Sequence, residues 1–464
     1  MNPVRTVDDL TGPRPLPMVG NLVQMRTDRA GHRVYDRWAH EYGPTYLLRF
    51  GKMPIVVSGD GPIVEAVLRD RPDGFTRTRV GPVLESLGVD GVFGAEGATW
   101  RRLRKMAARS LSGAYLRDYF TAVARSAARL HARWTAAAQA GAPVDVLDDV
   151  RRFTLDVSTA LAIGHDLNSL GTAGDGLHSR LAELFPEVGR RLYAPVPLHR
   201  FVTLPRDRRR EATIREVGAL VRERHAQARA RMATGAAPAT FLEALVAPLD
   251  DEREFTHEEL VGNVLTMMLA GQDTTSSLIA WTLHHLAEDP DTQERVRAEA
   301  ATVLREFGPP ADPAALRGLR HTDAAIQESL RLRPVVPVMG FRPTRHTVLH
   351  GTGYDLSLPA GQSILLLLSH GARAVPDPDE FRPKRWFGTM TAQPFFPFGA
   401  GPRFCPGHNL ALLEATLVVG LACRDFRMAP DGGKVGEKLA FTAFPTALRL
   451  RPQLRPEAAG ATRR

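Results

Sequence analysis

The feature that most constrains this chain is the run "FTHEELVGNVLTMMLAGQDTTSSLIAWTLHHLAEDP", Phe255 to Pro290. Thr256 and Glu259 have the spacing of a capping box, and Phe255 and Leu260 that of a hydrophobic staple. The helical pattern then holds to about Glu288, ahead of Pro290. That is roughly 30 residues, or about 45–50 Å of helix. Val261, Val264, Leu265, Met267, Met268 and Leu269 make its first half apolar nearly all round. Such a helix is buried and crosses a whole domain. Near its middle stands "AGQDTT", Ala270 to Thr275. Gly271 there costs about 1 kcal/mol relative to alanine. Asp273, Thr274 and Thr275 are polar where burial is expensive. Either this turn faces solvent, or it is a local distortion that sets a hydroxyl and a carboxylate over a buried site.

A second stretch, "FPFGAGPRFCPGHNLA" (Phe396 to Ala411), carries one of only two cysteines in 464 residues. Two cysteines make neither a disulfide framework nor a Cys-rich zinc site. A reducing, cytoplasmic setting is the default. The residues after Cys405 read as a helix with Pro406 near its first position, where proline is tolerated. Cys405 would then sit at a helix N-terminus, which favours a thiolate. The glycine-rich turn before it lets backbone approach a large ligand closely. Cys423, inside "GLACRDF", reads instead as a small buried apolar residue.

The remaining pattern is mostly helical, from about Gly97 to Pro310. "TYLLRFG" and "MPIVVSG" read as a β-hairpin, and strands return near "HTVLHGTGYDLSLPAGQSILLLL" and "KLAFTAFPTALRLRP". No long linker and no repeat divides the chain. The expectation is one mainly α domain over 1–464 with a small β portion. The leader, about 1–12, and the tail, 453–464, are expected to be disordered. The start has no apolar signal segment, and no run of apolar residues is long enough for a membrane span. The net charge of +9 fits either nucleic acid or an acidic protein partner. Without zinc-finger spacing or an RNA-recognition signature, the acidic protein is the better reading and nucleic acid is not expected.

Phe398, Gly401, Arg403, Cys405 and Gly407 spell F-x-x-G-x-R-x-C-x-G. This resembles the haem-binding loop of the cytochrome P450 family. Further matches fall in the same order: "AGQDTT" resembles the oxygen-activation motif of the family's long helix, and "ESLR" its E-x-x-R motif. "PDEFRPKRW" resembles the segment that follows, and "WRRLR" the helix that contacts a haem propionate. The likeness covers nearly the whole chain and implies the P450 fold, with the long helix over the haem.

The resemblance implies haem b with Cys405 as axial thiolate on the iron, favouring O–O cleavage. Phe398, Gly401 and Gly407 would shape the loop. Arg403 and Arg104 would hold the propionates, with Trp100 as a donor and Arg342 and His370 as further candidates. Glu328, Arg331 and Arg385 would form a buried structural network. Asp273 and Thr274 would be the catalytic acid–alcohol pair delivering protons during oxygen activation, with Gly271 and Ala270 keeping the helix face small beside oxygen and substrate. The pocket would draw on Met267, Ala270, Val335, Val338 and Phe444, and on the segments Thr76–Phe93 and Glu183–Phe201. These are mainly apolar, as ligand pockets usually are.

The implied activity is monooxygenation of a hydrophobic small molecule, by hydroxylation or epoxidation. Terpenoid, polyketide, steroid or fatty-acid tailoring in bacterial secondary metabolism is the implied setting. No flavin- or nicotinamide-binding sequence follows the haem region, so no fused reductase is expected. Electrons from NAD(P)H would arrive through a ferredoxin or flavodoxin and its reductase. Such carriers are usually acidic, which would use the basic residues Arg101, Lys105, Lys384 and Arg403. Peroxide-driven chemistry on the same fold has less need of a proton relay, and a non-catalytic haem sensor has none.

Overall fold

The computed structural model describes residues 2–26, 31–77, 80–89, 91–171, 180–181, 183–192, 204–247, 255–304, 309–310, 312–368, 370–388 and 394–456. They form two compact units. One holds Met1–Val80, Gln327–Cys405 and Glu437–Thr446; the other holds Gly81–Ile326, Pro406–Gly436 and Ala447–Arg464.

The first unit carries most of the strands. Its five-stranded sheet runs, in spatial order, Thr45–Phe50, Met53–Ser58, Ser363–Leu367, Val338–Pro343 and Phe75–Arg77. The first two strands are antiparallel and form the expected hairpin. Val56, Ile63, Val67, Phe75, Phe341 and Ile364 share one buried cluster. The leader departs from expectation. Val4 and Arg5 pair in parallel with Asp355 and Leu356. Thr6 and Asp9 cap a short 3-10 turn, and Leu10 is buried in the same apolar cluster. Three pairing or apolar positions thus order a segment that composition alone marks as loose.

The second unit is built from helices. The long helix spans His257–Glu288, with both halves of the capping box formed. Glu259 N–H donates to Thr256 Oγ1 at 3.2 Å, and Thr256 N–H to Glu259 Oε2 at 2.8 Å. Phe255 lies under the Arg102 guanidinium, 3.7 Å from its ring centroid. The long helix packs along Val146–Ile163, itself buried over most of its length. Strands Phe426–Pro430 and Arg449–Leu454 pair antiparallel. Gln453 and Leu454, expected to open a disordered tail, therefore lie in a ladder; residues 457–464 fall outside the described residues. No helix among the described residues is long and apolar enough to cross a membrane.

Candidate functional site

The cysteine loop belongs to the first unit. Cys405 N–H donates to Phe398 O at 2.9 Å, and Phe404 N–H to Gly401 O at 3.0 Å. Gly401 has a φ of 68°. A Cβ there would stand 2.7 Å from Arg69 Cα and 2.9 Å from Leu68 O. Both the left-handed backbone and the crossing chain therefore demand glycine. Phe398, Arg403 and Cys405 are each half-buried. The next helix spans His408–Asp425, with Gly407 as its N-cap. Pro406 thus precedes the cap instead of opening the helix, because Gly407 keeps non-helical dihedrals. Cys423 is fully buried, and burial pushes its thiol up to about 12. Of the two cysteines, Cys405 is the one with a side chain open to a ligand.

Glu328 and Arg331 are the buried anchor of the same unit, both side chains 0% exposed. They meet bidentately, at 2.9 Å and 2.8 Å. Glu328 also accepts from Arg382 N–H at 3.0 Å, Arg385 Nε at 3.2 Å and Trp386 Nε1 at 2.9 Å. Arg331 donates onward to Pro378 O and Glu380 O, and Arg385 to Pro376 O and Asp377 O. The network so ties a helix end to the chain of Pro376–Trp386, which ends in the 3-10 turn Pro383–Phe387. Burial alone would raise the Glu328 carboxyl, but Arg331 and the other donors hold it below the ordinary glutamate range. Spacing put Glu328 and Arg331 on one helix face, and the family resemblance implied their buried network with Arg385. Neither signal marked Trp386, in the 3-10 turn Pro383–Phe387, as a donor, nor the carbonyls of Pro376, Asp377, Pro378 and Glu380 as acceptors.

The propionate candidates fall in both units. Trp100 is buried, and Arg104 is half-buried one turn on along Gly97–Ser110. Arg342 is exposed and donates to Ser363 Oγ at 3.2 Å. His370 Nδ1 lies 3.2 Å from Asp36 Oδ1, and its ring leans on His40. Among the pocket candidates of the first unit, Val335 is buried, and Val338 and Phe444 are half-buried. Positions 78–79, 90 and 193–201 of the two apolar segments lie outside the described residues.

The centre of the long helix opens on one side only. Met267, Gly271 and Thr274 are half-exposed and Ala270 is exposed, while Gln272, Asp273 and Thr275 are buried. The open positions follow helical spacing and form one stripe. The turn remains α-helical throughout. Its carbonyls take side-chain donors from the neighbouring helix: Thr154 Oγ1 donates to Gln272 O at 3.0 Å, and Ser158 Oγ to Met268 O at 3.1 Å. Gly271 serves that packing, since a Cβ there would meet Ser158 Cβ at 3.2 Å. Thr274 Oγ1 donates to Ala270 O at 2.7 Å. Asp273 Oδ1 accepts from Arg151 Nη2 at 2.7 Å. No sequence signal pointed to Arg151, which lies 122 residues away.

These residues suit a haem. Among the described residues, no cluster of three or more His, Cys, Asp or Glu side chains could hold a metal ion. Iron would thus need a macrocycle for its other ligands. In the first unit Cys405 offers a single soft donor and Arg403 a cation for a carboxylate; in the second, Arg104 offers another cation and the Met267–Thr274 stripe an open face with small side chains at Ala270 and Gly271.

The family model described as cytochrome P450 matches residues 10–450. A self-sufficient cytochrome P450 monooxygenase of Penicillium expansum is 28% identical over 97% of this chain, and the match covers 44% of that relative. A 3-hydroxyphenylacetate 6-hydroxylase of Emericella nidulans is 26% identical over 94% of this chain and 86% of its own. A dolabradiene monooxygenase of Zea mays is 26% identical over 88% and 83%. The chain thus spans less than half the length of its Penicillium relative. These relatives are fungal and plant proteins and give no support to a bacterial setting.

Proposed function

Because the chain belongs to the cytochrome P450 family, we propose that it is a haem-thiolate monooxygenase acting on an apolar small molecule, with Cys405 as the residue that would hold the iron. The observation that carries this reading is the contrast between the two thiols. Cys423 is sealed in the core, whereas Cys405 stands half-open on a loop pinned by Gly401. The haem would supply activation of O2 with two electrons and two protons, so that R–H becomes R–OH and the second oxygen leaves as water.

The chain's own part is to hold, orient and supply protons. Arg403 and Arg104 would neutralise the propionates, with Trp100 as a further donor; Arg342 and His370 are the outlying candidates. Phe398 and Gly407 frame the thiolate loop. Asp273 and Thr274 are neighbours on a helix, so their side chains leave its axis about 100° apart. Thr274 lies on the open stripe, and Asp273 lies on the buried side with Arg151. A proton relayed by way of Asp273 to the Thr274 hydroxyl would travel through water, and Arg151 fixes where the Asp273 carboxylate stands. Thr274 both accepts and donates, so its oxygen can hold that water, and its own proton can go forward once the hydroxyl turns away from Ala270 O.

Thr274→Ala keeps the haem and the apolar pocket but removes this relay. Product formed per electron pair should fall by about tenfold or more, with hydrogen peroxide released in its place. Unchanged coupling would assign the proton route to other groups.

Met267 and Ala270 in one unit, and Val335, Val338 and Phe444 in the other, are apolar candidates for the substrate, which suits terpenoid, polyketide, steroid or fatty-acid skeletons. Electrons come from NAD(P)H through a ferredoxin or flavodoxin and its reductase. Arg101, Lys105 and Lys384, all exposed, suit an acidic carrier. The direct test of the substrate class is titration with apolar natural products while the haem absorption band is followed. A saturable band shift with one class supports the reading. A haem-containing protein whose band no apolar compound moves contradicts an apolar substrate.

A further inference from the structure

The strands Gly436–Leu439 and Ala443–Thr446 form a two-stranded sheet of their own. Two strands alone are marginal in water, so the placement of this hairpin depends on what fastens it. Two fastenings reach the same short stretch of chain. From the second strand, Ala443 N–H donates to Val335 O at 2.8 Å. From the first, Glu437 Oε2 accepts from Arg333 Nη1 at 3.0 Å. Arg333 and Val335 are two residues apart, so each strand is tied separately and the hairpin cannot pivot on one bond. Glu437 Oε2 also accepts from Arg33 Nε at 2.6 Å, and His32 Nε2 lies 3.3 Å from Oε1.

The Glu437 side chain is only 5% exposed. Burial alone would raise its carboxyl, yet His32 and Arg33 hold it below the ordinary glutamate range. A buried anion with its partners in place is costly to disturb and narrow in the geometries it accepts. Nothing in the sequence marked it: Glu437 stands 404 residues from Arg33 and 104 from Arg333.

We propose that Glu437 is a positioning residue for the substrate: by holding the hairpin to Arg333 and Arg33, it sets where Phe444 stands, one residue on from the Ala443 N–H that bonds Val335 O. This rests on the haem-thiolate reading, which makes Phe444 and Val335 part of the pocket. Glu437 touches neither the cofactor nor the substrate. Its removal alters the shape presented to a bulky ligand and leaves the iron and its thiolate as they are.

The test uses the haem-loaded chain and two azoles that bind haem iron. Imidazole is small and reports the iron alone; clotrimazole is bulky and apolar and also reports the pocket walls. In Glu437→Ala, the Kd for clotrimazole should rise about tenfold, while that for imidazole stays within about twofold. Arg33→Gln, on a side chain 34% exposed, should show the same selective loss at about threefold; it carries the test if Glu437→Ala does not fold. Unchanged clotrimazole binding, or equal loss for both azoles, overturns the proposal. A wild-type chain whose haem band neither azole moves overturns the haem-thiolate reading itself.

Discussion

Cys405→Ala should lose the thiolate-ligated haem spectrum completely, while Cys423→Ala keeps it. The two residues are the only cysteines in the sequence, which makes the pair a closed test. Only the thiolate form of cysteine is a metal ligand. Cys423 has its thiol pushed up to about 12 by burial, so it is protonated at neutral pH and enclosed by core. Cys405 is half-open, and its N–H is bound to Phe398 O at 2.9 Å, which fixes the backbone from which the thiol projects. Loss of the sulfur removes the axial donor without disturbing Gly401, whose approach to Arg69 shapes the loop. Electron paramagnetic resonance of the ferric protein reads the ligand directly. A thiolate signature that survives in Cys405→Ala contradicts the assignment.

Glu328→Ala should be nearly as damaging, through a different route. The variant leaves Arg331 charged, 0% exposed and stripped of its bidentate partner. Breaking a buried pair on one side costs about 3–5 kcal/mol, against a total stability of about 5–15 kcal/mol for a typical domain. Arg385, Trp386 and the Arg382 N–H lose their acceptor at the same time. The Pro376–Trp386 chain would then loosen, and the protein should accumulate with little haem. The haem-to-protein absorbance ratio and urea unfolding measure both effects. A loss below about 1 kcal/mol would place this pair with ordinary surface ion pairs.

The same group fixes a pH dependence. The Glu328 carboxyl lies below the ordinary glutamate range in the folded chain. Its contribution is therefore complete above the unfolded value and is lost as pH falls through the depressed native one. Haem retention should fall on the acid side of that window. In Glu328→Gln, which cannot ionise, this part of the acid sensitivity should be absent.

The long helix was legible because its apolar run and capping box are local signals, and Thr256–Glu259 formed as expected. The Thr45–Ser58 hairpin was legible for the same reason. The start of the cysteine helix was read two residues early. Proline at a first helical position is a statistical preference, and the Gly407 dihedrals decided the matter. The leader was misjudged because two paired residues and one buried leucine, Leu10, suffice to order it. Gly271 stands on the open stripe as expected of a small residue there, and its missing Cβ also makes room for Ser158, which the pattern did not show. Arg151 and Glu437 left no trace in the pattern. A carboxylate's partner more than a hundred residues away depends on how helices and strands pack, which neither spacing nor composition encodes.

The most direct measurement of the central claim is the absorption spectrum of the purified, reduced, carbon monoxide-bound chain. Haem held by the Cys405 thiolate predicts the strongly red-shifted main band of thiolate ligation, lost in Cys405→Ala. A stable main band at the position of imidazole-ligated haem, or a folded chain that takes up no haem, would contradict the account.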